Sequence, residues 1–228
     1  MAEKRVIIIG GHGKIALLAA PKLAEAGFAV DSVIRNPAHA EDVAAAGANP
    51  VVLDVESADT ASLAELFSGA EAVVFSAGAG GGDPARTRAV DLEAAIRTME
   101  AAGQAGVGRY VMVSYARSET DVHTLDPENS FYPYAEAKHH ADNHLRGTGL
   151  AWTILGPGKL TLEPATRRVT VLEAAEISGL VAEKGPEAAD TSRENVAEAI
   201  AHVLSTGSAV RQTVNFFDGE TPLEEAIR

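Results

Sequence analysis

Two groups of residues in this chain have the types and spacing to do chemistry. The first is the turn Gly10-Gly11-His12-Gly13-Lys14-Ile15-Ala16, where the apolar run Val6-Ile7-Ile8-Ile9 breaks into glycines and then resumes with helical spacing. Gly10, Gly13 and Ala16 fit G-x-x-G-x-x-A, and Gly11, Gly13 and Ala16 fit G-x-G-x-x-G/A. In either reading the glycines let the backbone approach a diphosphate, and the unpaired N–H groups of the helix that follows supply the anion site. Gly10, Gly11, His12, Gly13, Lys14 and Ile15 are therefore candidate phosphate-side residues. The second group is Ser114, at the end of an apolar run, with Tyr134 and Lys138 four apart on one helix face. An ammonium close to a phenol favours the phenolate, which would bring Tyr134 down toward a range useful for proton transfer. A serine hydroxyl can hold a carbonyl oxygen.

The residues between the two groups indicate which dinucleotide the turn would take. An acidic residue at the end of the second strand would bind a ribose 2′-hydroxyl, whereas an arginine pairs with a 2′-phosphate. Arg35 stands there, and Asp31 lies at the other end of that strand, so NADP(H) is favoured over NAD(H). Asp54 and Val55, ending the third strand, could meet adenine through a carboxylate and an amide; Asp54 could equally cap a nearby helix. The glycine-rich stretch 77–84, beginning Ala77-Gly78, follows the fourth strand and reads either as a ligand loop or as a flexible connection.

The elements that must carry these residues alternate. Strands are expected at 6–9, 29–34, 50–55, 72–76, 110–114, 151–155 and 212–217. Helices are expected at 15–26, 37–46, 57–67, 87–105 and 133–146, with a helix after the hydroxyl-x-x-Glu spacing of Thr191 and Glu194, and a short terminal helix opened by Thr221-Pro222. The alternation predicts an α/β, doubly wound parallel sheet of Rossmann type, a single domain over 1–228 with helices on both faces. The stretch 115–131 is polar and aperiodic, and a loop of that length is more often functional than idle. In 159–185 the segment 168–172 alternates like a strand, while 177–181 reads as a strand or a loop. These two stretches would form a small substrate side.

Composition narrows the classes. With 46% hydrophobic and 22% charged residues the chain is an ordinary globular protein, and its formal net charge of -13 repels a nucleic-acid backbone. The absence of cysteine excludes disulfides, thiolate zinc sites and a cysteine nucleophile. No stretch suits a signal peptide or membrane span, so the expectation is cytoplasmic, with a small-molecule substrate as partner and the oligomeric state open. His140 and His144 have two-histidine spacing without a third ligand, so they and His139 read as a solvated helix face and no metal is expected.

The chain resembles the short-chain dehydrogenase/reductase superfamily, in its atypical NAD(P)H-binding branch related to NmrA-like and flavin or biliverdin reductase-like proteins. The resemblance covers nearly the whole chain. It is carried by the 10–16 turn, Arg35-Asn36-Pro37, Asp54, Ser114, Tyr134 with Lys138, the stretch 149–158 and the ending Asp218-Gly219-Glu220-Thr221-Pro222. It implies strand order 3-2-1-4-5-6-7, cofactor contacts from Gly10, Gly13, Arg35, Asp54 and Ala77, with Gly78 beside it, and reductase roles for Ser114, Tyr134 and Lys138. Lys138 would also hold the nicotinamide ribose. Members of the branch often carry Arg-Pro-Gly where this chain has Gly156-Pro157-Gly158, so an arginine that might contact cofactor or substrate is missing. The implied activity is NADP(H)-dependent hydride transfer to a small carbonyl, quinone or flavin-like acceptor. A non-catalytic NADP-binding redox sensor and an NAD(P)-dependent epimerase/dehydratase are the alternatives, because the fold alone does not prove turnover.

Overall fold

The computed structural model describes residues 4–80, 83–120 and 122–228; Gly81 and Gly82 of the glycine-rich stretch, Asp121 of 115–131 and the first three residues lie outside the described residues. Strand β1 (Lys4–Ile9) lies inside a nine-stranded sheet, paired on both edges, and its side chains divide the core. Val6 and Ile8 point to a cluster built with α1 (Lys14–Glu25) and α8 (Arg193–Thr206), while Ile7 and Ile9 point to another built with α3 (Thr60–Phe67), α5 (Ala95–Gln104) and α6 (Tyr132–Arg146). The unbroken apolar run 6–9 is what burial on both faces demands.

Seven strands run parallel in the order β3 (Asn49–Val52), β2 (Phe28–Ile34), β1, β4 (Ala72–Phe75), β5 (Arg109–Val113), β6 (Trp152–Pro157) and β10 (Gln212–Asp218). This is the 3-2-1-4-5-6-7 order of a Rossmann-like domain. Strands β8 (Arg168–Val171) and β11 (Thr221–Pro222) extend the β10 edge antiparallel, and β7 (Lys159–Thr161) pairs separately with β9 (Asp190–Ser192). The strand order reverses between β1 and β4, and a crevice opens outside the carboxyl ends of strands at such a point.

Several sequence expectations change. The third strand stops at Val52, leaving Asp54 and Val55 in the loop beyond it. The second helix is a 3₁₀ turn (Pro37–His39), whose first amide bonds the Asn36 side chain, followed by α2 (Ala40–Ala45). The helix expected at 87–105 begins with α4 (Pro84–Thr87) and passes through a π-helical stretch (Arg88–Ala94) before α5. The extra residue per turn brings Asp91 inward, and π segments of this kind cluster at functional sites. The segment 177–181, read as a strand or loop, lies within α7 (Ala174–Lys184), whose capping box is formed by Glu173 and Glu176. The Thr191 and Glu194 capping box does not form. Ser192 caps α8, the Thr191 hydroxyl donates to Phe216 O at 3.0 Å, and Glu194 accepts from Lys22 Nζ at 3.1 Å. Thr221-Pro222 is a strand, and the terminal helix α9 (Leu223–Ala226) starts after it.

Candidate functional site

The turn after β1 is as tight as its glycines allow. Gly10 has φ +84°, and a Cβ there would lie 2.6 Å from Ala77 Cα in the loop after β4; at Gly11 it would lie 2.5 Å from Ser32 Cβ. The Gly11 amide donates to Val33 O and the Gly13 amide to Gly10 O, each at 2.8 Å. Gly13 occupies the cap position of α1 without a side-chain hydrogen bond, so the first turn's amides are left for an anion. Ala16 is fully buried beneath the turn.

These glycines wall a cleft of about 430 Å³ at the carboxyl ends of β1, β2, β3 and β4. Of the expected phosphate-side and nucleotide-side residues, Gly10, Gly11, His12, Gly13, Arg35, Asp54, Val55, Ala77 and Gly78 line it. Lys14 and Ile15 do not: the former is exposed on α1, and the latter is packed in the core. At one rim Arg35 Nη1 lies 2.7 Å from Glu56 Oε1, and Arg86 Nε approaches the same oxygen at 3.4 Å. Asp54 closes its own turn by accepting the Glu56 amide at 3.0 Å, and α3 is capped by Asp59 instead, so the helix-cap reading of Asp54 is overturned. His12 stacks on His39 with centroids 3.7 Å apart, and its Nε2 is 2.9 Å from Asp42 Oδ2.

The second group surrounds a buried lysine. Lys138 is 1% exposed, and its Nζ donates to Val113 O at 2.8 Å; the ammonium lies 5.7 Å from the Phe75 ring centre. Burial pushes its pKa down, opposed by the carboxylates of Asp142 and Asp91. Burial pushes both of those carboxyls up, with the Lys138 ammonium as the main counterweight. Asp91 accepts the Ala79 amide at 3.0 Å, tying this cluster to the loop that lines the cleft.

Two expectations about chemistry are corrected here. Tyr134 is not drawn toward phenolate: burial, then Asp91, Asp142 and Tyr115, push its pKa up. The physical reason is that the lysine ammonium is committed to Val113 O, while the charges of Asp91 and Asp142 near the phenol oppose a phenolate. Ser114, in turn, gives its single proton to Asp142 Oδ2 at 2.6 Å, so it faces a ligand with lone pairs only in this arrangement. Sequence reasoning missed Glu56, Arg86 and Asp142 and gave Asp91 no role. Asp142 did carry a signal, since Tyr134, Lys138 and Asp142 repeat at four-residue steps along one face of α6. His139 Nδ1 lies 2.9 Å from Ser118 O, and among the described residues no group of three potential metal ligands converges.

Residues 10–206 match the model of the NAD(P)H-binding family. The chain belongs to that family. It is an atypical short-chain dehydrogenase/reductase in fold and motif. This NAD(P)H-binding protein is 30% identical to a Bacillus subtilis protein named an uncharacterized sugar epimerase, over 98% of this chain and 99% of the relative. Among solved structures it is similar to a candidate NAD-dependent epimerase/dehydratase of Bacillus halodurans, with TM-score 0.83, 28% identity and 97% of each chain covered. The oxidoreductase ylbE of Lactococcus lactis shares the fold, with TM-score 0.82, 24% identity, 97% of this chain and 94% of that one. No helix among the described residues is long and apolar enough to cross a membrane.

The NAD(P)H-binding chain also accounts for its missing arginine. A Cβ at Gly156 would lie 2.6 Å from Asn215 Oδ1 and 3.1 Å from Tyr115 O, so a side chain is shut out where Asn215 packs. The glycine cradle gives a direct prediction. Gly10→Ala, strained at φ +84° and driven against backbone, is expected to cost about 1–3 kcal/mol of stability and to abolish dinucleotide binding. Denaturant unfolding and a cofactor fluorescence titration check it, and unchanged affinity would show that the close approach of Gly10 and Ala77 is dispensable.

Proposed function

We propose that the protein is an NADP(H)-dependent reductase that passes hydride to a small carbonyl, quinone or flavin-like acceptor. The observation that carries this reading is the rim of the cleft, where Arg35 and Arg86 converge on Glu56 beyond a cradle that side chains would fill. The cradle fits the diphosphate, the arginines fit a 2′-phosphate, and Asp54, Val55, Ala77 and Gly78 line the space between. The chemistry supplied by bound NADPH is hydride donation.

The chain's own residues then handle the proton. Tyr134, held as a neutral phenol, donates its proton to the acceptor oxygen as negative charge develops there, and regains it from solvent. Lys138, buried with its Nζ on Val113 O and outside the cleft lining, does not take the ribose contact expected of it in this arrangement; it keeps Asp91 and Asp142 from standing as unopposed buried charges. Ser114 gives its proton to Asp142 and so offers the acceptor no hydrogen-bond donor in this arrangement. The acceptor itself sits toward 115–131 and 159–185. Tyr134 as a proton donor suits reduction better than the proton removal that opens an oxidative cycle.

The test is nicotinamide absorbance with purified protein, NADPH and a panel of aldehydes, quinones and flavins. Consumption with at least one acceptor is expected; tight NADPH binding with no turnover would replace the reductase with the sensor. Arg35→Ala is expected to weaken NADPH binding about tenfold or more while leaving NADH nearly unchanged, because of the two nucleotides only NADPH carries a 2′-phosphate for the guanidinium to pair with. Equal losses for both nucleotides would remove the 2′-phosphate assignment. Glu56→Gln, which removes a competitor for that guanidinium, is expected to move NADPH affinity the other way.

The name of the Bacillus subtilis relative favours a second reading, a sugar epimerase that oxidises and re-reduces its substrate. Inverted product with no net change in nicotinamide absorbance would establish it.

A further inference from the structure

Next to Tyr134 lies a second pocket, of about 300 Å³, walled by Tyr115, Arg117, Thr120, Leu125 and Phe131. The rings of Tyr115 and Phe131 meet edge to face at 5.3 Å, and each is within 5.7 Å of the Tyr134 ring, so the aromatic wall of the pocket packs against the proposed proton donor. Leu125 and Phe131 are 39% and 44% exposed, two of the few large apolar side chains the fold leaves in water. A flat apolar ligand would cover them.

Arg117 supplies the charge. It is one of four non-glycine residues at positive φ, with φ +73°. Glycine would take that conformation without strain, so an arginine there needs a reason. The two other arginines in this set have one in the fold: Arg167 Nε lies 3.6 Å from Glu198, and Arg211 Nη2 donates to Gly149 O at 3.3 Å. The Arg117 guanidinium has no such partner among the described residues, although its backbone is fixed. Its amide donates to Asn215 Oδ1 at 3.0 Å, and Asn215 Nδ2 donates to Glu119 at 2.6 Å. One oxygen of the nearby Glu119 carboxylate is thus engaged with Asn215, and Glu119 does not line the pocket. Arg117 lines the same pocket as Tyr115 and Phe131, which brings its charge to the aromatic wall.

We propose that this pocket selects the substrate by its non-reacting half, receiving a flat unsaturated or aromatic ring against Tyr115 and Phe131 and a carboxylate on Arg117. The inference rests on the reductase reading for the identity of the reacting end, but binding of the other half can be measured without turnover. Such a pocket would present an aromatic or unsaturated acid with its carbonyl toward Tyr134.

The experiment compares benzoate with benzyl alcohol by ligand-observed NMR titration on the full chain, with NADPH affinity measured in parallel. Benzoate is expected to bind about tenfold more tightly than the alcohol, as a charge-assisted contact would give. Arg117→Gln and Arg117→Gly are expected to erase that preference and leave NADPH affinity unchanged, and Arg117→Lys to keep most of it. Arg117→Gly also relieves the left-handed backbone, so it should unfold no earlier than the wild type, which separates lost binding from lost structure. A wild type that does not prefer benzoate, or a preference that survives Arg117→Gly, overturns the proposal. Failure of the wild type to bind NADPH would instead count against the reductase, with the benzoate comparison still readable.

Discussion

Lys138→Met is expected to lower the folding free energy by about 3–5 kcal/mol, the cost of leaving buried charge without its partner. Asp91 is 1% exposed and Asp142 is fully buried, and the ammonium of Lys138 is the principal charge opposing the rise of both carboxyl pKa values. Methionine has a similar volume and stays apolar, so a packing defect contributes little. The pH dependence identifies the cause. A carboxyl whose pKa is raised on folding takes up a proton more readily in the folded state, so its penalty is full above the folded pKa. The penalty disappears as pH falls to the unfolded value near 3.8. Removing the ammonium raises the folded values further, so the deficit of the variant should shrink on acidification across that window. Asp142→Asn in the Lys138→Met background should recover much of the loss at neutral pH. Urea unfolding at a series of pH values checks this, and a deficit constant with pH would mean that the lysine is held for packing alone.

That cluster also shows where sequence reading stops. The strands, their parallel run and the glycine turn were legible because each leaves a local mark, β-branched runs, alternation with helical stripes and clustered glycines, whereas the order 3-2-1-4-5-6-7 came only from the family resemblance. The pairing of Tyr134 with Lys138 was legible from helical spacing. What the lysine does was not fully legible: burial and then Asp142, one helical turn away, act on its charge first, but Asp91 also acts on it from forty-seven positions away, on a π-helical stretch that no local pattern announces. Likewise Thr191 and Glu194 have capping-box spacing, yet the Phe216 carbonyl and the Lys22 ammonium, both remote in sequence, take their side chains. The strands of the region 159–185 were hardest to read because β7 and β8 are short pieces held by β9 and β10 more than by their own periodicity.

Tyr134→Phe is expected to reduce kcat by about 10²–10⁴-fold, the usual contribution of a positioned acid, with NADPH affinity unchanged. The substitution is unusually clean. The Tyr134 hydroxyl makes no hydrogen bond among the described residues, so the fold loses none, and the ring keeps its contacts with Tyr115 and Phe131 at 5.7 and 5.5 Å. Thermal unfolding of the variant should therefore match the wild type. The direction of the pKa shift adds a second observable. Because burial and the neighbouring carboxylates keep the phenol protonated, the wild type should show no fall in kcat from Tyr134 ionisation as pH rises through neutrality. A lysine-lowered phenol would produce that fall, since the acid would already have lost its proton. Turnover close to wild type in the phenylalanine variant would remove Tyr134 as the donor. A kcat that declines on the alkaline side near neutrality in the wild type, and not in the variant, would restore the lysine-tuned tyrosine that the sequence pattern alone suggests.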